Sequence, residues 1–170
     1  MKLNVGNRVV YPCHGPCRIG AAVVREFGGR KTRFYPLAVL NDSGVVLFVP
    51  MEKAETLGIR RLTERAELLK LLGEMKESTE TASVPTSLTN WKQRTADNSA
   101  LLTSGSACDL AKLIGSLTEL GEAKRLLPRD RQVLEEARKN LICEISEVLG
   151  ESKITAERRL DDALKIKKEE

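Results

Sequence analysis

Up to residue 62 the apolar positions come in short runs cut by turn residues; from Thr63 onward they recur at three- and four-residue spacing. The first regime predicts strands and the second amphipathic helices. Val5-Gly6-Asn7 reads as a bend, and Arg8-Val9-Val10-Tyr11 as a strand closed by Pro12. His14-Gly15-Pro16 is a tight turn in which Gly15 can take a positive φ. Within the stretch from Arg18 to Phe27, Ile19, Ala21, Val23 and Phe27 alternate on one face, and Gly28-Gly29 supplies a hairpin turn. Phe34 to Leu40 and Val45 to Val49 predict a second hairpin around Asn41-Asp42-Ser43-Gly44, stopped by Pro50. Pro36 withholds a ladder donor, so its strand should have an edge or a bulge there. Five short strands in about fifty residues predict a small, strongly bent antiparallel barrel. An uncovered edge on such a barrel is a docking site for another protein's strand.

Thr63 is positioned to cap a helix whose stripe is Leu68, Leu69, Leu71, Leu72 and Met75. Glu77 to Thr86 is polar, rich in Ser and Thr, and reads as a connection between helices. Another helix begins near Trp91, with Leu88, Thr95, Leu102 and Leu101 on one side and Gly105 as its stop. Ser106 with Asp109 resembles a capping box in its shorter-acid form. Ala107, Leu110, Ala111, Ile114 and Leu117 form the next core stripe, which Gly121 should break. Pro128 opens a helix with the face Val133, Leu134, Ala137, Leu141, Ile145, Val148 and Leu149, ended by Gly150. Ser152 or Thr155 starts a last helix through Leu160 and Leu164. The whole is an α+β chain: a barrel over 1–62 followed by a compact helical bundle over 63–170, with the polar connection near 77–86.

Composition narrows this further. The net charge is +4, but residues 1–62 carry ten Lys/Arg against four acids, whereas residues 81–170 carry fifteen of each sign. The excess on the barrel favours an acidic partner surface, yet it is well short of the density of a purely electrostatic DNA binder. No apolar run is long enough to span a bilayer and no signal-peptide pattern opens the chain, so the expected address is the cytoplasm. Cys13-His14-Gly15-Pro16-Cys17 offers zinc-ligand residue types, but no second close Cys/His pair completes a tetrahedral site. No metal and no cofactor are therefore expected. Cys108 and Cys143 fall among apolar neighbours and read as small buried residues. His14, the single histidine, has no nearby acid or nucleophile in sequence, and a turn or surface role suits it better than catalysis. The glycines form no phosphate-cradling pattern, and no carboxylate stands out from the solvated helix faces. No catalytic residue is expected.

The richest stretch is Val84 to Gly105, which holds the single tryptophan, Trp91, followed by Lys92, Gln93 and Arg94. A large flat ring beside cations, on a helix that begins after a linker, suits a wedge against nucleic acid. From composition alone a lone tryptophan in a small helical unit is more often a core anchor.

The ordered segments resemble the CarD/CdnL family of bacterial transcription regulators across nearly the full length. Val5-Gly6-Asn7-Arg8-Val9-Val10-Tyr11-Pro12-Cys13-His14-Gly15 is similar to that family's opening, and Phe34-Tyr35-Pro36-Leu37, Val49-Pro50 and Leu57-Gly58-Ile59-Arg60 to later landmarks. Pro85 through Trp91-Lys92-Gln93-Arg94 resembles the family's tryptophan segment, and Leu102-Thr103-Ser104-Gly105 its L-A-S-G turn. The opening barrel alone would also fit the polymerase-binding module of the transcription-repair coupling factor, but no helicase segments follow. The resemblance implies a Tudor-like barrel that binds lobe one of the RNA polymerase β subunit largely by strand-to-strand contact. It also implies a helical domain lying over promoter DNA at the upstream edge of the melted region, in the sigma-containing holoenzyme. Trp91 would then be the wedge, with Lys92, Arg94 and Arg131 as its basic DNA-binding companions. Arg25 and Phe48 occupy the family's polymerase-binding positions, and the protein would act as a monomer without chemistry of its own.

Several positions depart from the family pattern, Pro36 and the Cys13/Cys17 pair among them. Ala96, followed by Asp97, stands where a cation is common, and Phe48 where some members are basic. Ala96-Asp97 motivates a runner-up: an adaptor that binds polymerase with little or no DNA contact. A metal- or thiol-dependent enzyme would have to rest on Cys13, His14 and Cys17 alone.

Overall fold

A computed structural model describes residues 3–41, 44–81, 91–123 and 125–164, with the side chains of 78–81, 91–94 and 123 outside the description. Six antiparallel strands come first: β1 Arg8–Tyr11, β2 Gly15–Ile19, β3 Val23–Phe27, β4 Arg30–Val39, β5 Val46–Pro50 and β6 Arg60–Arg61. Five helices follow: α1 Arg65–Thr81, α2 Trp91–Ser104, α3 Ala107–Ala123, α4 Pro128–Leu149 and α5 Lys153–Leu164. A 3-10 turn at Met51–Lys53 separates β5 from β6. The fold is thus α+β, a Tudor-like antiparallel barrel followed by a helical bundle.

The long β4 organises the barrel. Strands lie in the order β3-β4-β2-β1-β6, and β5 pairs with the other side of β4. Along its first half β4 pairs with β3, from Arg30↔Phe27 to Phe34↔Val23; along its second half it pairs with β2, from Leu37↔Ile19 to Val39↔Cys17. Pro36 stands at the change of partner, which meets the expectation of a local interruption there. The Gly20 N–H donates to the Pro36 carbonyl at 2.8 Å, and a Cβ on Gly20 would lie 2.9 Å from Pro36 Cγ. Proline at 36 and glycine at 20 are one steric unit. Val9, Cys17, Ile19, Leu37, Val39, Val49, Ala54 and Ile59 fill the inside.

The helices enclose a second core built from Leu68, Leu72, Met75, Leu102, Leu110, Leu113, Ile114, Leu117, Leu141, Ile145, Leu160 and Leu164, among others. Gly150 ends α4 in the left-handed region (φ 65°), donating to the Ser146 carbonyl. Ser152 caps α5, its Oγ accepting the Thr155 N–H at 3.2 Å.

Several expectations give way. The stretch from Arg18 to Phe27 is two strands broken at 20–22, not one run, and Ala21 and Phe27 are exposed. The short β6, paired with β1 at Val9↔Arg61 and Val10↔Arg60, was not expected at all. Thr63 does not cap α1: its N–H and hydroxyl both donate to Glu144 Oε1, at 2.9 and 2.8 Å. Leu69 is exposed, and α1 continues to Thr81 into the expected polar connection, whose remaining residues 82–86 lie outside the described ones. Helix α3 runs through Gly121 to Ala123, because glycine inside a helix costs only about 1 kcal/mol and Leu117 and the half-buried Leu120 pack that turn into the core. Asp109 accepts from Ser104 Oγ at 2.7 Å, and that oxygen in turn accepts the Ser106 N–H at 3.3 Å. The acid thus serves the start of α3 through Ser104.

Candidate functional site

The register of β3, β4 and β5 decides which side chains share the outer face. Cross-strand partners point to the same side. Phe27 faces Arg30, Arg25 faces Thr32, Val23 faces Phe34, and Pro36 faces Phe48. The chain's three phenylalanines, at 27, 34 and 48, therefore gather on one side of the sheet. Phe27 is 63% exposed and Phe48 44%, with Val46 at 48% beside them. Phe27 and Phe34 meet edge to face with centroids 5.9 Å apart. The Arg25 guanidinium lies over the Phe48 ring, 4.4 Å from its centroid. An exposed cation–π contact of this kind contributes about 0.5–1 kcal/mol and holds the cation flat against the ring. Arg25 and Phe48, singled out separately in the sequence, are brought together. In the sequence Phe27 alternates on one face with Ile19, Ala21 and Val23; beyond the break at 20–22 it is exposed. Among the described strands, β3 and β5 are each paired with β4 alone, so each presents an outer edge.

In the helical part, Trp91 is the first residue of α2, followed by Lys92 and Arg94 in the first turn; their side chains lie outside the described ones. Further along α2, Ala96 and Asp97 are exposed, while Leu102 is buried and Leu101 half-buried against the helical core. Asn98 is buried, and its Nδ2 meets no hydrogen-bond partner among the described residues. Arg131 is exposed in the first turn of α4, beside the exposed Arg129, while Asp130 between them is buried.

Barrel and helices meet at a polar junction that sequence reasoning missed. Helix α4 turns its apolar side to the helices and a second side, Asn140, Glu144 and Glu147, to the barrel. The Asn140 amide donates to the Cys13 carbonyl at 3.2 Å, and Arg8 donates to Glu147 at 2.9 Å. Glu144, 1% exposed, takes two parallel bonds from Arg60, each 2.9 Å, as well as both from Thr63. Burial pushes its carboxyl up, but the hydrogen bonds and charge of Arg60, with the Thr63 donors, outweigh that and hold it below the ordinary carboxylate value. The reading that no carboxylate stands apart from solvated faces is corrected here. Asn140, Glu144 and Glu147 recur at helical spacing, but on a helix with many other charged residues that series does not stand out.

The cysteines carry no assembled site. Cys17 is fully buried with its thiol pushed up to about 12, chiefly by burial, and Sγ lies 3.4 Å from the Gly15 carbonyl. Cys13 is exposed at φ 69°, and its thiol is raised by burial and by the charge of Glu136. Cys143 is buried as expected, whereas Cys108 is exposed at the start of α3, where the helix turns it away from the core. Among the described residues no group of three potential metal ligands converges, and no helix is long and apolar enough to cross a membrane. His14 rests against Tyr11, ring centroids 5.4 Å apart.

Comparison with known proteins bears on what these surfaces are. Residues 3–63 match the family described as CarD-like/TRCF RID domain, and residues 67–161 match that described as CarD, C-terminal domain. The chain belongs to the CarD/CdnL family. YdeB of Bacillus subtilis (strain 168), a candidate transcription factor, is 25% identical over 146 residues, spanning 86% of this chain and 92% of YdeB. The solution NMR structure of the 72-residue N-terminal domain of Myxococcus xanthus CarD is 42% identical, covering 35% of this chain and 79% of that one, with a TM-score of 0.30. The CarD/CdnL assignment makes this chain a transcription regulator, a type of protein that acts by binding.

Proposed function

We propose that this regulator binds the RNA polymerase β subunit, on its first lobe, through the barrel over 1–62, and stabilises the open promoter complex through the helical unit over 63–170. The observation that carries the polymerase contact is the stacked Arg25–Phe48 pair within an exposed aromatic strip. Large apolar side chains kept on an outer sheet face cost solubility, so they are best accounted for by a partner surface. The outer edges of β3 and β5 beside that strip can extend the ladder into the partner.

In the helical unit, α2 begins at Trp91, with Lys92 and Arg94 in its first turn and Arg131 exposed on α4. An indole wedged at a minor-groove step costs a few kcal/mol of unstacking, recovered where the DNA is already distorted. Such a wedge binds melted promoter better than closed, and a differential of about 1.4 kcal/mol changes the open-to-closed ratio tenfold. Docking on polymerase raises the local concentration, so weak intrinsic DNA affinity suffices. The protein acts as a monomer, without catalytic residues, metal or cofactor, wherever polymerase engages the nucleoid.

Pull-down of the polymerase β lobe by the full chain tests the docking surface: Phe48→Ala with Arg25→Ala should abolish retention, and undiminished retention would refute it. A second reading, an adaptor without DNA contact, is favoured by the exposed Ala96-Asp97 pair one turn beyond Arg94. Salt-dependent crosslinking of the helical unit to upstream promoter DNA separates the two, because an adaptor gives none.

A further inference from the structure

Arg60 sits on β6, at the last strand of the barrel, and its guanidinium reaches three elements at once. Nη1 and Nη2 bond the two oxygens of Glu144 on α4, each at 2.9 Å, while Nε donates to the Gly105 carbonyl at 2.8 Å, immediately after α2. Nη1 also donates to the Arg61 carbonyl at 2.9 Å. Gly105 adopts φ 70°, and a Cβ there would lie 3.3 Å from Pro12 Cα, so the turn after α2 is pressed against the barrel as well as bonded to it. The other bonds across the junction go elsewhere: Arg8 to Glu147, Asn140 to Cys13, and Lys153 Nζ to the Leu40 carbonyl at 2.8 Å. These hold α4 and α5 on the barrel. Arg60 ties in the end of α2.

We infer that Arg60, oriented by Glu144, is a positioning residue that fixes the direction of the Trp91 helix relative to the polymerase-docking face. The inference rests on the function proposed above. Helix α2 has 14 residues, about 20 Å from its Gly105 end to Trp91. A small rotation at the anchored end therefore moves the indole by several ångströms, which is enough to miss a groove step. A guanidinium suits this role because its donors form a rigid planar fork. Glu144 spends both oxygens orienting that fork, leaving Nε aimed at Gly105. A lysine at 60 would keep the charge opposite Glu144, but its three donors radiate from one nitrogen and do not reproduce the fixed spread of Nε, Nη1 and Nη2 over Gly105 and both Glu144 oxygens.

The test uses the full chain with spin labels introduced as non-natural residues at the exposed Thr56 and Ala96, which avoids the native cysteines. The native protein should give one narrow interspin distance distribution. Arg60→Lys should broaden it severalfold, leave retention by the β lobe unchanged, and shorten the open-complex lifetime about tenfold, the factor produced by about 1.4 kcal/mol of lost preference. Should Arg60→Lys fail to fold, Glu144→Gln, which keeps an acceptor for Arg60 and Thr63, is read in the same way. An unbroadened distribution overturns the inference whatever the lifetime does. A broadened distribution with a native lifetime also overturns it, provided Trp91→Ala shortens that lifetime; if Trp91→Ala has no effect, the wedge reading itself has failed.

Discussion

Glu144 and Arg60 are unequal partners, and their inequality sets what each substitution does. Glu144 is 1% exposed, whereas the Arg60 side chain is 26% exposed and can turn to water. Arg60→Ala leaves an uncompensated buried carboxylate and should cost about 3–5 kcal/mol; Glu144→Ala leaves a cation that can resolvate and should cost less. Urea unfolding of the two variants checks the order, and equal losses would contradict it. The direction of the Glu144 shift also fixes a pH dependence. Its folded value lies below the ordinary 4.5, so its contribution to stability is complete above that value and is lost as pH falls through the lowered folded one. Glu144→Gln should therefore flatten the acid limb of the stability profile and leave the slope near neutrality unchanged. Thiol labelling provides an independent check on packing: Cys108 should react readily, while Cys17 and Cys143 should react only on unfolding.

At the scale of elements, the period of the apolar positions carried most of the fold. The hairpin turn at Gly28-Gly29, the stripe of α3, the Pro128 start and the Gly150 stop all follow from local chemistry that acts within a few residues. The failures have a common cause in tertiary partners. Ile19, Ala21 and Val23 alternate straight through the break at 20–22, where the Pro36 ring on β4 packs so close to Gly20 that a side chain there would not fit. Two-residue β6 has no period to read. Thr63 has the chemistry of a cap, but Glu144, 81 residues away, claims both its donors. The Gly20–Pro36 unit yields a direct prediction: Gly20→Ala forces a Cβ to within 2.9 Å of Pro36 Cγ and should destabilise the chain by about 1–3 kcal/mol. Pairing it with Pro36→Ala, which removes the opposing ring, should recover part of that loss in thermal unfolding. Strictly additive losses would mean the two residues are independent.

For the whole molecule, the sheet that carries the proposed docking face and the helical unit in which α2 begins at Trp91 are joined by a polar junction. Arg25 and Phe48 were legible as separate candidates because the family resemblance marks both, but their stacking, and the arrival of Phe27 and Phe34 beside them, needed the β3-β4-β5 register. The junction was not legible, because a glutamate on a charged helix looks solvated until its partner from the barrel is in place. Polar junctions of this kind specify one arrangement through geometry, which is what the proposed bridging of polymerase and DNA would require. The most direct test of that account is the lifetime of the open promoter complex with the full chain bound, native against Trp91→Ala. The account predicts a lifetime shortened about tenfold at unchanged occupancy of polymerase; an unchanged lifetime at full occupancy would contradict it.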